Sequence, residues 1–194
     1  MRTFSTVLVG MLLAVVIIVI TGVMYVRTTH LETRAPIGQL ETRLARMARR
    51  AAVPEGIRAT PNPVARTPEA LADGRSHFAD HCASCHANDG SGATALGRGF
   101  YPPAPDMRQP ATQELSDGEL FWVIEHGIRF TGMPAWGTGT KEGEDASWRL
   151  VHFIRHLPAL TDAEIDEMKT LNPRPPGEVR QELEEERFLS GETP

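Results

Sequence analysis

Apolar residues are spread unevenly along this 194-residue chain, and their spacing changes character several times. Residues 7–26 (VLVGMLLAVVIIVITGVMYV) carry no charge. At about 1.5 Å of rise per residue, such a run crosses a hydrocarbon layer of about 30 Å and predicts a spanning helix. A cleavable signal peptide is the competing reading. Its apolar region is about half as long and leads into small residues, whereas this run ends in Met24-Tyr25-Val26-Arg27. The expectation is an uncleaved anchor over residues 1–28.

The next two stretches behave differently. Leu40, Leu44, Met47, Ala48 and Ala51 recur at helical spacing, with Arg43, Arg46, Arg49 and Arg50 between them, which predicts a short basic amphipathic helix over residues 39–52. Such a helix either lies on anionic lipid or an acidic partner, or is a solvated spacer. Residues 53–68 then carry Pro54, Pro61, Pro63 and Pro68 with Gly56, a composition that favours extended backbone. Residues 29–66 are therefore expected to be a linker. As a flexible coil of about forty residues its typical span is roughly 35 Å, enough for a tethered domain to swing.

From residue 67 the pattern is that of a small all-α domain. Thr67-Pro68-Glu69 has a capping hydroxyl, a proline at the first helical position and an acid in the first turn. Leu71, Gly74, Phe78 and Cys82 follow on one face. Ser116 and Glu119 form a capping-box pair before Leu120, Phe121, Val123 and Ile124, and Gly127 marks the end of that helix. A further helix is predicted over residues 145–157, burying Trp148, Val151, Phe153, Ile154 and Leu157. Thr161 and Glu164 make another capping box, so residues 161–171 are expected to add a short helix after the core, before Pro173, Pro175 and Pro176 break the chain. The organisation expected is anchor 1–28, linker 29–66, helical domain 67–160 and C-terminal region 161–194.

Charge adds one feature to this picture. The net charge of -5 hides a basic segment, residues 27–66, and an acidic one, residues 178–186 (EVRQELEEE). The asymmetry either steers encounter with a partner or is solvated surface. Nothing in the pattern suggests nucleic-acid binding.

The two cysteines in the chain both lie in Cys82-Ala83-Ser84-Cys85-His86. A Cys-x-x-Cys-His run is the attachment signature of c-type haem. Two thiols on one turn of backbone can add across neighbouring vinyl groups of a porphyrin, and the next residue, His86, is placed to ligate the iron. A zinc site would need further ligands, and no second Cys pair or His-x-His exists. A thioredoxin-like pair expects a βαβ setting and leaves the histidine without a role. A disulfide across two intervening residues would close a strained loop. The apolar content is thin for an independent core of this size, a deficit that a buried porphyrin makes good.

Residues 67–160 resemble a class I cytochrome c domain. The resemblance rests on Gly74 and Phe78 before the Cys82–His86 motif, Asp89-Gly90-x-Gly92 after it, Tyr101-Pro102-Pro103-Ala104-Pro105, Gly132-Met133-Pro134-Ala135-Trp136, and the aromatic helix from Trp148 through Phe153 to Leu157. It implies that the first and last helices cross at Gly74, Phe78 and Phe153. It further implies one covalent haem c, with His86 and Met133 as axial ligands and a carbonyl of Pro102 or Pro103 on the other nitrogen of His86. Met107 is the nearest alternative methionine and is expected at the porphyrin edge. His126 would instead give bis-histidine ligation. Trp136 is expected over the haem edge or on a propionate. His77, His81, His152 and His156 are expected mostly in solvent.

The function so implied is single-electron transfer between redox donor and acceptor proteins, by a non-enzymatic carrier on the outer, periplasmic face of a cell inner membrane. The count of arginines after the anchor argues for the opposite orientation; haem attachment chemistry, which the family carries out on the outer face, argues for this one. Two alternatives stand beside it: a dedicated cytochrome subunit of a larger membrane oxidoreductase, and a haem sensor or peroxidase-like enzyme with an open or displaceable sixth position.

Overall fold

The computed structural model describes residues 2–29 and 32–174, together with residues 177, 180, 181, 184, 186, 187 and 189. Pro175, Pro176 and most of the acidic stretch lie outside the described residues. Among those described, every regular element is a helix. The first, α1 (Arg2–Thr29), is exposed along its apolar length. Its apolar part, Thr6–Thr28, is long enough to cross a membrane. The second, α2 (Gln39–Ala52), has the predicted bounds and leaves Leu40, Leu44 and Met47 exposed.

The domain core is built by α4 (Pro68–His77), α7 (Asp117–His126) and α8 (Lys141–His156). Each starts on a side-chain cap. Thr67 Oγ1 accepts from the Ala70 N–H (3.1 Å), Ser116 and Glu119 form the predicted capping box, and Thr140 Oγ1 accepts from the Gly143 N–H (3.1 Å). These bonds satisfy N–H groups that the first helical turn leaves unpaired. The Thr140 cap starts α8 four residues earlier than residue 145, because Lys141, Glu142 and Glu144 occupy an exposed first turn that carries no apolar periodicity.

Helices α4 and α8 cross at Gly74. A Cβ there would lie 2.3 Å from the Arg149 carbonyl oxygen and 3.2 Å from Phe153 Cβ, so only glycine admits this approach. One turn on, the Phe78 and Phe153 rings meet at 5.1 Å, both fully buried. Phe121 of α7 stacks on Trp148 of α8 at 4.1 Å and 6°. Val151, Leu157 and Ile154 complete the layer between them.

Two expectations are corrected by the packing. First, residues 53–66 are not a free tether. They include α3 (Glu55–Arg58), Val53 is buried, and Ile57 and Val64 pack on the core. The Ser116 hydroxyl donates to the Arg58 carbonyl (2.8 Å), Asn62 Nδ2 donates to the Trp148 carbonyl (2.9 Å), and the Val64 carbonyl lies 2.8 Å from His152 Nε2. Beyond α3, Pro61 and Pro63 leave the chain without helix, yet this stretch still found partners on α8. His152 is consequently buried rather than solvent-facing. Second, α9 (Asp162–Leu171) is not an appendage: Met168 is fully buried, Arg75 pairs with Glu164 and Glu167 (3.3 and 2.8 Å), and Asn172 Nδ2 donates to the Ala79 carbonyl (2.8 Å).

Candidate functional site

Helix α4 does not end at His77. The chain widens into a π-helical turn, Phe78–Cys82, and then into α5 (Ala83–His86), so the motif is carried on the continuation of the helix that Gly74 locks against α8. Such a bulge in a helix commonly marks a functional site. Phe78 and Ala79 face the core while Cys82, Cys85 and His86 remain partly accessible, and both cysteines are free thiols rather than a disulfide. Burial pushes the Cys82 thiol up to about 12, with Cys85 and Asp80 adding to the effect. Ala87 then takes φ 60° and ψ 159°, a backbone region that side chains with a Cβ avoid, and turns the chain back.

The loop after the motif folds onto it. The Gly92 N–H donates to the His86 carbonyl (2.8 Å), the Thr94 hydroxyl to the Cys85 carbonyl (3.1 Å), and the Met107 N–H to the Gly90 carbonyl (2.8 Å). At Gly97 a Cβ would lie 2.1 Å from the Cys85 carbonyl oxygen. Asp89 ties the loop to Arg108 (3.0 Å), whose guanidinium also forks on Asp106. His86 Nδ1 is buried without a geometrically complete hydrogen bond. Burial draws the imidazole below its ordinary value, and the Pro105 carbonyl opposes that shift. The backbone oxygen that acts on the imidazole is that of Pro105, in the same proline segment as Pro102 and Pro103, the two expected in that role. The Tyr101-Pro102 peptide is cis.

Residues 69–154 match the family model for cytochrome c oxidase, cbb3-type, subunit III. They form a class I-like c-type cytochrome domain. The match covers a little under half of the chain, and no curated protein matches the sequence.

Within the cytochrome domain, Met133 lies on a loop strapped to the end of α7. Ile128 N–H donates to the Met133 carbonyl (3.1 Å), Trp136 N–H to that of Ile124 (3.0 Å), and Gly137 N–H to that of Glu125 (3.1 Å). Gly127, at φ 64°, makes this possible: a Cβ there would lie 2.6 Å from the Met133 carbonyl oxygen. Gly132 packs on the Phe100 ring, where a Cβ would come within 2.5 Å. Phe100 follows Gly97, the glycine pressed on Cys85, so the methionine loop and the cysteine motif share one intervening segment. Met107, by contrast, is buried in the core cluster, and His126 is exposed with Nδ1 3.1 Å from the Trp122 carbonyl. Trp136 meets His81 edge-on at 5.2 Å and lines a cleft of about 160 Å³ with Cys82, His77 and Leu150. His77 in turn meets His81 at 4.8 Å, and burial lowers its pKa.

A c-type cytochrome domain implies haem c, and the side chains here fit it. His86 is drawn toward its neutral, ligating form by burial, its buried Nδ1 has no hydrogen-bond partner, and Cys82 and Cys85 stand on one turn beside it. Among the described residues no three His, Cys, Asp or Glu side chains converge to hold a bare ion. Sequence reasoning missed Phe100, Thr94 and the Pro105 carbonyl. Each acts through its position in the fold, and no spacing in the sequence marks it.

Proposed function

We propose that this chain is a membrane-anchored monohaem electron carrier. Residues 1–28 would anchor it, residues 29–52 would lead to the haem domain, and residues 53–172 would fold round one haem on the periplasmic side of a cell inner membrane. The bound haem supplies a one-electron ferric/ferrous couple. Cys82 and Cys85 would hold it through thioethers, each S–H adding across one vinyl C=C with no atom lost. His86 would ligate from the proximal side with its ring oriented by the Pro105 carbonyl, and Met133 from the other. Trp136 would shield the edge beside Cys82.

The observation that carries this reading is the strapping of the Met133 loop by backbone hydrogen bonds to α7. A methionine held that firmly favours a closed sixth position over a displaceable one, and a neutral thioether favours the reduced state. The reduced holoprotein should therefore bind carbon monoxide slowly and weakly at neutral pH, whereas Met133→Ala should bind it readily and show a lower reduction potential. Rapid, tight binding by the unmodified protein would overturn the carrier in favour of the sensor or peroxidase-like reading. Unchanged spectra in the variant would remove Met133 as a ligand.

A second reading, a dedicated subunit of a larger membrane oxidoreductase, is favoured by the description of the matching family model. Redox donor and acceptor would then belong to one assembly. Co-migration with larger membrane proteins in mild detergent supports it; migration as a lone small protein does not.

A further inference from the structure

Helix α2 presents two unlike sides. Leu40, Leu44, Met47 and Ala51 recur at i, i+4, i+7 and i+11, so they form one stripe. Leu40, Leu44 and Met47 are 70%, 55% and 66% exposed, and no residue of the helix is buried. Arg43 and Arg50 border one edge of the stripe, Arg46 lies further round the same side, and all three are exposed.

The flank that carries Glu41 and Arg49 is engaged by the cytochrome domain. Glu41 Oε2 accepts from the Tyr101 hydroxyl at 2.6 Å, and this bond is the main cause that raises the phenol to about 12, with Tyr25 of α1 close enough to add to it. At the other end, Arg58 donates to the Arg50 and Val53 carbonyls and faces Glu119 of α7 at 3.6 Å. Arg49, on the same flank, is partly buried and lies in the field of Glu119. The helix is therefore attached to the domain at both ends by its polar flank. Its apolar stripe is left without a partner.

We infer that this stripe lies in the interface of an anionic bilayer, so that α2 holds the cytochrome domain against the membrane in one orientation. The inference rests on the proposed membrane anchor. Three features of α2 select lipid as the occupant. Nine residues separate the end of α1 from the start of α2, which keeps the helix within reach of the bilayer surface. Its arginines flank the stripe, where long cationic side chains reach headgroup phosphates while their stems stay in apolar surroundings. Glu41 borders the stripe on the side away from Arg43 and Arg50, but its carboxylate is engaged by the Tyr101 hydroxyl at 2.6 Å, so the acid is turned to the domain and not to the anionic surface. A domain so held would not swing on a long tether; it would rotate with α2, carrying the Tyr101 loop and the segment behind it at a set distance from the lipid.

The full-length haem-loaded protein, in vesicles of phosphatidylcholine and phosphatidylglycerol, tests this through nitroxide labels at Leu44→Cys on the stripe, Thr42→Cys on the far side and Val16→Cys within α1. Cys82 and Cys85, once thioether-linked, do not take the label. The ratio of oxygen to nickel-chelate accessibility should be at least about threefold higher for the Leu44 label than for the Thr42 label, as expected for a side chain a few ångströms below the headgroups. Changing Arg43, Arg46 and Arg50 together to Gln should reduce that ratio, as should vesicles of phosphatidylcholine alone. Equal ratios at both α2 positions would overturn the inference, and a Val16 label buried in the same sample would show that the anchor itself stands. A water-exposed Val16 label would instead refute the anchor. A Leu44 label immobilised and shielded from both reagents would mean that a protein covers the stripe, and would overturn the lipid assignment.

Discussion

Gly74→Ala is the substitution for which the structure makes the sharpest demand. The added Cβ would stand 2.3 Å from the Arg149 carbonyl oxygen and 2.8 Å from its carbon. Both are backbone atoms of α8, so no side chain can rotate aside, and Phe153 Cβ closes the third direction at 3.2 Å. The two helices must part. Overpacking of this kind costs about 3 kcal/mol, the upper part of the usual range, because the obstructing atoms are rigid. Alanine returns about 1 kcal/mol through helix propensity, leaving a net loss of about 2 kcal/mol. For a domain of this size that corresponds to a fall in Tm of roughly 10 °C. The assay is guanidinium unfolding of the haem-loaded protein, followed by far-ultraviolet circular dichroism and by the Soret band. Because α4 runs on into the Cys82–His86 turn, the two signals should shift together. Gly56→Ala in α3 is the control: its Cβ meets nothing within 4 Å, so it should gain about 0.5 kcal/mol or more. A Gly74→Ala protein as stable as the parent would refute the close crossing of α4 and α8.

Two further outcomes follow from local geometry. Ala87→Gly relieves a Cβ held at φ 60° beside His86 and should raise stability by about 1 kcal/mol after the entropic cost of glycine is counted; no gain in chemical denaturation would contradict that backbone turn. Acid sensitivity should centre on Glu164 and Asp106. Burial raises Glu164, but hydrogen bonds from Thr161 and His156 outweigh it and hold the carboxyl at about 2, below its ordinary 4.5; the Arg108 guanidinium holds Asp106 at about 2, below 3.8. Depressed carboxyls lend stability above their unfolded values and lose it as pH falls through the folded ones, so stability should decline from about pH 4.5 toward pH 2. Glu164→Gln should flatten that decline in urea titrations at stepped pH, and an unchanged acid limb would exclude the residue from it.

Much of the domain could be read locally. The caps at Thr67, Ser116 and Thr161 are satisfied within three residues of themselves, and the periodicity of Phe78, Val151, Phe153 and Leu157 reports one-sided burial directly. The Cys82–His86 motif is likewise a local signature, because both thiols and the imidazole must share one turn. For the same reason α1 and α2 were legible from length and spacing alone.

Contacts made across the chain were not legible, and they decided the rest. A proline-rich segment reads as linker whether or not a helix pair waits to accept its carbonyls; only the meeting of Asn62, Val64 and Arg58 with Trp148, His152 and Ser116 turned residues 53–66 into part of the domain. The choice of Pro105 over its neighbours, the seating of Gly132 on Phe100, and the closure of the core by Met168 likewise depend on distance between segments remote in sequence. Periodicity and caps determined which helices exist and which side each buries. Which backbone oxygen faces His86, and how the methionine loop is held, were settled only when tertiary packing brought those strands of chain together.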